Sequence, residues 1–375
     1  VRLMKGPSGN KVRITVSRGG SLIPFEITRD KIPVHCIDAA FMINDTTGYI
    51  KLSKFTRTTY KEFSQASDKL LEMGMKRLIF DLRDNTGGYF DQALLLSNQF
   101  LNKGDMIVYM EGRHRSRQDY DADGRGSLKD IQISVLIDEG TASSSEIFAG
   151  AIQDNDRGVI VGRRSFGKGL VQEPINFTDG SGIRLTVSRF YTPSGRCIQK
   201  PYGDDYQYDI YERYAHGEMT SADSMKVDTT AVYYTVRGRR VYGGGGIIPD
   251  VFVPLDTTKA TTFFINCNKK ATQMRFAQSM FDRYGKILAG IDDFDRLDRY
   301  MDEIDVAAQF LDYAARVDGL KPKEGEWEET APYLMPQLKA LVGRFSKLSD
   351  EAFYRFYLPI DDTIKAALKN SSKVW

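Results

Sequence analysis

Two stretches of the chain repeat the same succession of a strand, a turn and a helix. In each stretch a run of consecutive apolar residues ends at a glycine-containing turn, and apolar residues at helical spacing follow. The predicted elements are a strand over Arg77–Leu82, a turn at Asn85–Gly88, a helix over about 91–101, a strand over Ile131–Ile137, a turn at Asp138–Gly140, a helix over about 145–153 and a strand over Gly158–Gly162. Strands that alternate with helices are typical of a parallel sheet. The sequence therefore predicts an α/β fold.

Different patterns lie on either side of this part of the chain. Val12, Ile14 and Val16 alternate with polar residues, which predicts a strand, and a second strand is predicted over Leu22–Thr28. Beyond about residue 260, strand patterns end and helical spacing takes over. One helix face is predicted from Phe276, Met280, Phe281, Tyr284, Ile287 and Leu288. A chain of 375 residues has room for two or three domains, and we place a boundary near residue 260.

Charge and cysteine content exclude several classes of protein. The formal net charge is only +2, so the chain as a whole carries too little positive charge to attract nucleic acid, and no nucleic-acid partner is expected. No apolar run approaches the ~20 residues of a membrane span, so no obligatory membrane contact is expected within this chain. The cysteines, Cys36, Cys197 and Cys267, are too scattered for a disulfide framework or a paired-cysteine zinc site.

Two motifs have the residue spacing of a phosphate-binding loop and of a calcium-binding loop, but each lacks other features of such a site. Gly162–Lys168 has the spacing of a phosphate-binding loop, but Gly169 follows where Ser or Thr is needed, and a strand ending at Pro174 follows where a helix is needed. Asp119–Asp130 has acidic residues at calcium-loop spacing, but it ends in Asp where Glu is usual, and strands flank it. We therefore expect no cofactor and no metal site, and leave weak calcium binding by residues 119–130 open.

The histidines offer little support for a serine triad. His35 lies in an apolar stretch and is expected in the core, His114 lies in a basic loop, and His216 lies in a polar segment. None of them has a carboxylate or cysteine partner at a recognisable spacing. A Ser-His-Asp triad or a histidine metal site is therefore disfavoured.

A serine with a lysine as its base is the alternative. The serine run within Thr141–Glu146 falls where a turn hands over to a helix, whose free N–H groups would stabilise an oxyanion. Such a run is also an ordinary helix N-cap. Lys168 follows between glycines and apolar residues, surroundings that favour the neutral amine. Strand alternation would place Lys168, Leu170 and Gln172 on one face. The residues permit a Ser-Lys hydrolase.

Four segments together resemble the carboxyl-terminal processing proteases, also called tail-specific proteases. They are Leu78–Gly88, Asp138–Asp154, Phe166–Gln172 and Tyr242–Asp250. The resemblance implies that Ser143 is the nucleophile, Lys168 the general base and Gln172 the residue that orients the lysine. It also implies that the backbone N–H of Ser144 and one from Gly87 or Gly88 bind the oxyanion. Ser144 stands where this family commonly has Ala, a change that keeps the backbone N–H.

The same resemblance implies a domain organisation. Residues 1–32 would be the C-terminal part of a PDZ domain, with most of its peptide groove upstream of Val1. Residues 33–260 would form a crotonase-like (ClpP/crotonase) α/β protease core, and residues 261–375 a helical C-terminal domain. For that last region three roles stay open: it caps the core, forms a homodimer or docks a partner.

The implied function is that of a serine endopeptidase that processes proteins from unstructured C-terminal ends. The substrates would be polypeptides, and the location would be the periplasm or cell envelope, expected from the resemblance alone because no signal segment is recognised. Two alternatives stand beside it. One is chemistry on coenzyme A substrates in the same fold, which needs no Ser-Lys pair. The other is an inactive peptidase-like scaffold that binds partners.

Overall fold

The computed structural model describes residues 3–31, 35–202, 206, 208–257 and 260–370. By contacts the chain separates into two compact units, Val1–His35 and Cys36–Trp375. The predicted boundary between residues 32 and 33 lies outside the described residues. The second unit contains both the α/β part and the C-terminal helices, so the architecture is mixed α/β followed by helices, as the sequence patterns predict.

The first unit contains a two-stranded antiparallel hairpin. Its strands are β1 (Lys11–Arg18) and β2 (Ser21–Thr28). In β1 the apolar residues are half-buried and the polar residues between them are exposed, as the alternation predicts. On the exposed side, Lys11 and Arg13 both pair with Glu26 on the neighbouring strand.

The second unit contains the remaining elements. Its strands are β3 (Ile37–Asn44), β4 (Thr47–Leu52), β5 (Arg77–Asp81), β6 (Met106–Gly112), β7 (Arg115–Asp121), β8 (Gln132–Ile137), β9 (Val159–Gly162), β10 (Leu170–Asn176), β11 (Gly182–Tyr191), β12 (Val232–Tyr234), β13 (Arg240–Tyr242) and β14 (Val251–Phe252). Its α-helices are α1 (Thr59–Glu72), α2 (Phe90–Asn98), α3 (Ser144–Asp154), α4 (Asp209–Ala215), α5 (Thr262–Lys269), α6 (Thr272–Leu288), α7 (Phe294–Glu303), α8 (Val306–Asp318), α9 (Glu326–Gly343), α10 (Asp350–Tyr357) and α11 (Asp362–Asn370). Short 3-10 helices span Ala222–Ser224 and Leu358–Ile360.

A six-stranded sheet forms the centre of this unit. Its strand order is β14-β9-β8-β5-β4-β3, and neighbouring strands are parallel except for the antiparallel pair of β3 and β4. The carboxyl ends of β5, β8 and β9 therefore lie at one edge of the sheet, where ligand and active sites of parallel sheets are usually found.

Both faces of this sheet are covered. On one face α1, α2 and α3 pack through a cluster of aromatic rings that includes Phe63, Phe80, Phe100 and Phe148. On the other face α11 contributes Ile364 and Ala367 to an apolar cluster with sheet residues, and Tyr354 of α10 packs against the Tyr49 ring. The C-terminal helices thus complete the packing of the sheet.

A second, antiparallel sheet has the order β10-β11-β6-β7. The prediction that the strand after Lys168 stops at Pro174 is wrong, because β10 continues to Asn176. β10 is the edge strand, and a proline at an edge can turn its missing N–H away from the ladder. None of the described helices is both long and apolar enough to cross a membrane.

Candidate active site

Three loops bring the predicted site residues to one edge of the central sheet. The loop after β5 carries Gly87 and Gly88, the loop after β8 leads into Ser143 at the start of α3, and the segment after β9 carries Lys168. Because β5, β8 and β9 run parallel as neighbours, these three connections begin side by side. Gln172 lies further along, on β10.

Ser143 differs from the two serines that follow it. It is half-buried, whereas Ser144 and Ser145 are only 2% and 0% exposed. Its backbone has φ 58° and ψ −117°, a conformation that is costly for a residue with a side chain. This sharp turn places Ser143 at the N-cap of α3. Of the three serines, Ser143 is therefore the one that a substrate can reach.

The other two serines connect α3 to the glycine loop. Ser144 Oγ donates to the carbonyl oxygen of Gly88 at 3.0 Å, and Ser145 Oγ donates to the carbonyl oxygen of Asn85 at 3.0 Å. The backbone N–H of Ala142 donates to the same Asn85 oxygen at 2.9 Å. The glycine loop and the start of α3 are therefore held as one assembly.

Glu146 joins the serine turn to the lysine segment. Its Oε2 accepts from the backbone N–H of Ser143 at 2.8 Å and from that of Lys168 at 2.9 Å. Its Oε1 accepts from the N–H of Gly167 at 2.8 Å and from the hydroxyl of Ser165. Because the backbone N–H groups of Ser143 and Lys168 donate to the same oxygen, Glu146 holds the two backbone nitrogens close together.

Glu146 is completely buried. Burial raises the pKa of its carboxyl, although its four hydrogen-bond donors act in the opposite direction. In the sequence, Glu146 stands out only as part of a motif. Its spacing, three residues after the serine that caps the helix, is that of a capping box and indicates the bond to Ser143. The contacts with Ser165, Gly167 and Lys168 come from tertiary structure and have no local signal.

The glycine loop requires glycine at both positions. A Cβ on Gly87, where φ is +88°, would lie 2.8 Å from Ser143 Cβ and 2.8 Å from Ser144 N. A Cβ on Gly88 would lie 1.9 Å from the carbonyl oxygen of Phe55. The absence of side chains thus lets the loop backbone approach the serine turn closely.

The backbone N–H groups near Ser143 differ in whether they already have a hydrogen-bond acceptor. The N–H of Gly87 donates to Asn85 Oδ1 at 2.9 Å. Of the two glycines, Gly88 is therefore the better source of an oxyanion donor. The N–H of Ser144 belongs to the first turn of α3, whose amides have no partner within the helix. It carries the positive end of the helix dipole.

Lys168 is half-buried and its backbone is fixed on both sides. The preceding Gly167 carbonyl accepts from the N–H of Lys200 at 3.0 Å. The following Gly169 N–H donates to Gln199 Oε1 at 2.9 Å, and its carbonyl accepts from the N–H of Phe190 at 3.0 Å. Together with the bond to Glu146, these contacts fix the direction in which the Lys168 side chain leaves the backbone.

Gln172 is placed differently from the strand-alternation prediction. β10 begins at Leu170, and a β-bulge between Val171 and Gln172 interrupts the alternation. Leu170 is buried while Gln172 is exposed, and the Gln172 amide nitrogen donates to Thr186 Oγ1 at 3.5 Å. Among the described contacts, none joins Gln172 to Lys168. The expected shared face is therefore not observed, and the orienting role of Gln172 stays a prediction.

The histidines lie apart from these contacts, whereas the segment with phosphate-loop spacing, Gly162–Lys168, contributes Ser165, Gly167 and Lys168 to them. The expectation that His35 is a core residue is wrong: it is exposed in the connecting segment before Cys36. His114 is exposed between β6 and β7, and His216 Nδ1 contacts the carbonyl oxygen of Glu212. Gly162–Lys168 connects two strands and opens no helix. Within the described residues, no group of three or more His, Cys, Asp or Glu side chains is arranged to hold a metal.

Comparison with known proteins matches this region to a peptidase family. Residues 46–210 match the model of Peptidase family S41, a range that includes every predicted site residue. The chain is 36% identical over 202 residues to a carboxyl-terminal-processing protease of Synechocystis sp.. It is also 36% identical over 201 residues to the carboxy-terminal processing protease CtpA of Bacillus subtilis. The resemblance to carboxyl-terminal processing proteases is thereby confirmed.

These matches cover only part of each protein. They span 52% of this chain and 47% of the Synechocystis relative, and 53% of this chain and 43% of the Bacillus relative. A solved structure named photosystem II D1 C-terminal processing protease is 26% identical, with a TM-score of 0.43. That comparison covers 66% of this chain and 57% of the solved one.

Proposed function

We propose that this protein is a serine endopeptidase that cleaves polypeptides from unstructured C-terminal ends, with Ser143 as the nucleophile and Lys168 as the general base. The observation that carries the proposal is the bridge through Glu146, whose Oε2 accepts from both backbone N–H groups. This bridge ties an accessible serine at a helix N-terminus to a lysine segment. The match of residues 46–210 to Peptidase family S41 supports the same assignment.

The proposed reaction follows the usual course of acyl transfer. The neutral amine of Lys168 takes the proton of Ser143 Oγ as that oxygen attacks the scissile carbonyl carbon. Lys168 then gives the proton to the leaving amine, and the acyl-enzyme remains on Ser143. Water attacks the ester in the second half of the cycle, again with Lys168 as base. Gln172 would orient the amine without adding a charge, which requires it to move from its contact with Thr186.

Oxyanion stabilisation is proposed for the N–H groups of Ser144 and Gly88. Both belong to the assembly that Ser144 Oγ closes by donating to the Gly88 carbonyl. Donors that are already in place stabilise the developing charge without reorganisation. The dipole of α3 acts in the same direction because its N-terminus faces the same place.

The finer domain assignments are also proposals. The hairpin of β1 and β2 would be the C-terminal part of a PDZ domain, and residues 33–260 a crotonase-like core. The proposed location is the periplasm or cell envelope.

Turnover of an unfolded protein tests the proposal. The purified full chain is incubated with a reduced, unfolded protein, and the fragments are identified by mass spectrometry. We expect cleavage by the wild type and none by Ser143→Ala. Absence of turnover by a folded wild type would favour the scaffold. Hydrolysis of an acyl-coenzyme A instead would favour the other chemistry of the fold.

A further inference from the structure

An ion pair joins the segment directly after β5 to the start of α11. Arg83 Nη1 donates to Asp361 Oδ1 at 3.1 Å, and Arg83 Nη2 lies 2.8 Å from Asp361 Oδ2. The two residues are 278 positions apart, and their side chains are only 19% and 5% exposed. The pair is thus a bidentate, largely buried ion pair, which fixes the relative position of the two side chains.

The carboxylate of Asp361 is itself held firmly. Its Oδ1 accepts from the backbone N–H groups of Thr363 at 2.9 Å and Ile364 at 3.1 Å, so Asp361 caps the start of α11. α11 is anchored beneath the central sheet because Ile364 and Ala367 lie in its apolar cluster. The anchored helix therefore determines where this carboxylate stands.

Arg83 is held on its other side by Asp81, a fully buried residue at the end of β5. The guanidinium donates from Nε at 3.0 Å and from Nη2 at 2.6 Å. Burial alone would raise the pKa of Asp81, but Arg83 and Lys51 outweigh it and hold that pKa well below its usual range. Tyr49 also donates to Asp81, at 2.8 Å. Arg83 therefore lies between two carboxylates, of which Asp361 alone comes from the C-terminal helices.

The glycine loop begins directly after Arg83. The Arg83 carbonyl accepts from Lys51 Nζ. Asp84 follows with φ 58°, and its N–H donates to Asp138 Oδ1 at 2.9 Å. The next residues lead to Gly88, the proposed oxyanion donor. A displacement of Arg83 at the base of this short loop would therefore reach the Gly88 amide.

We propose that Asp361 is a positioning residue of the active site, which acts through Arg83 to hold residues 84–88 against the serine turn. The C-terminal helical region is then a part of the catalytic assembly and not only a cover for the sheet. This inference rests on the proposed function. Asp361 touches no substrate in this account, so its removal should disturb the transition state more than substrate binding.

Asp361→Asn is the variant that tests the proposal. Asparagine keeps the size of the side chain and an oxygen that can cap α11, but it loses the charge and the second oxygen that face Arg83. Asp293→Asn is the matched control, because Asp293 caps α7 by accepting from the N–H of Arg296 at 2.8 Å. Turnover of an unfolded protein gives kcat and KM. We expect kcat to fall ~10- to 100-fold for Asp361→Asn with KM within ~3-fold, and the control to keep both.

Two further measurements separate the explanations. Hydrogen exchange should become faster in residues 84–88 for Asp361→Asn and not for Asp293→Asn, which reports on the loop without any substrate. Adding Asp361→Asn to Arg83→Gln should cause no further loss of kcat, because the two residues act through one contact.

The outcomes that overturn the proposal are distinct from failure of the protease assignment. Unchanged kcat and unchanged exchange in a folded Asp361→Asn would refute the positioning role. If Asp361→Asn does not fold, Asp361→Ser replaces it, since serine still caps the helix but cannot reach Arg83. Failure of both to fold, beside a folded Asp293→Asn, would assign Asp361 to folding alone and refute the proposal. A folded wild type without turnover would refute the proposed function, whereas hydrogen exchange would still show whether Asp361 holds residues 84–88 in place.

Discussion

Replacing Glu146 by glutamine tests how the serine turn and the lysine segment are joined. The substitution keeps the size of the side chain but exchanges one acceptor oxygen for an NH2 group. In the wild type, each carboxylate oxygen of Glu146 accepts from two donors. One oxygen accepts from the N–H groups of Ser143 and Lys168, and the other accepts from the Gly167 N–H and the Ser165 hydroxyl. The NH2 group must face one of these two sides.

The two orientations differ in cost. If the NH2 group faces Ser143 and Lys168, two backbone N–H groups lose their acceptor, at about 1–3 kcal/mol each. If it faces the other side, the Gly167 N–H loses its acceptor, and the Ser165 hydroxyl gives up its own acceptor but can rotate to accept from the NH2 group. This reversed bond and the removal of the buried charge offset part of the loss, so the second orientation costs less, about 1–3 kcal/mol in total. Glu146→Gln should therefore keep the bridge between Ser143 and Lys168.

Denaturant unfolding and turnover of an unfolded protein measure the two consequences. We expect the free energy of unfolding of Glu146→Gln to fall by about 1–3 kcal/mol and kcat to stay within ~10-fold of the wild type. Glu146→Leu is the comparison, because it removes all four acceptor contacts, and it should be inactive even where it folds. Equal activity of folded Glu146→Leu and Glu146→Gln would refute the bridging role of Glu146.

The glycine loop and the buried carboxylate of Asp81 can each be tested by a single substitution. Gly87→Ala should lower kcat at least ~10-fold relative to Gly104→Ala, because both positions have positive φ but only Gly87 would bring a Cβ against the serine turn; equal kcat values would show that the close approach is irrelevant. Asp81 should stabilise the fold fully above pH ~4, its pKa when unfolded, and less as the pH falls towards its lowered folded value. Urea unfolding of the wild type and Asp81→Asn at several pH values measures this, and a gap that does not narrow in acid would contradict it.

The parts of the fold that depend on local patterns are predictable from the sequence. The consecutive apolar residues of β5 and β8 and the helix start at α3 are observed close to their predicted places, because buried strands and helix ends have local signals. The continuation of β10 past Pro174 and the bulge before Gln172 are not predictable in this way. Both depend on which strand lies at the sheet edge, and that is decided by pairing.

The candidate site shows the same division. The types and spacing of Ser143, Lys168 and the glycines indicate the chemistry, and the loops that carry them start at one sheet edge. The supporting contacts do not follow from spacing. Glu146 receives donors from a segment beyond the next strand, and Asp361 pairs with an arginine 278 positions away. Such contacts form only when distant segments pack together.

The measurement that tests the central claim most directly is the activity of Lys168→Arg. A guanidinium stays protonated in proteins and cannot accept the Ser143 proton, yet the arginine side chain is about as long as that of lysine. Cleavage of an unfolded protein is measured for wild type, Lys168→Arg and Ser143→Ala, with folding of each verified by circular dichroism. We expect cleavage by the wild type alone. Substantial cleavage by a folded Lys168→Arg would contradict the role of Lys168 as the base.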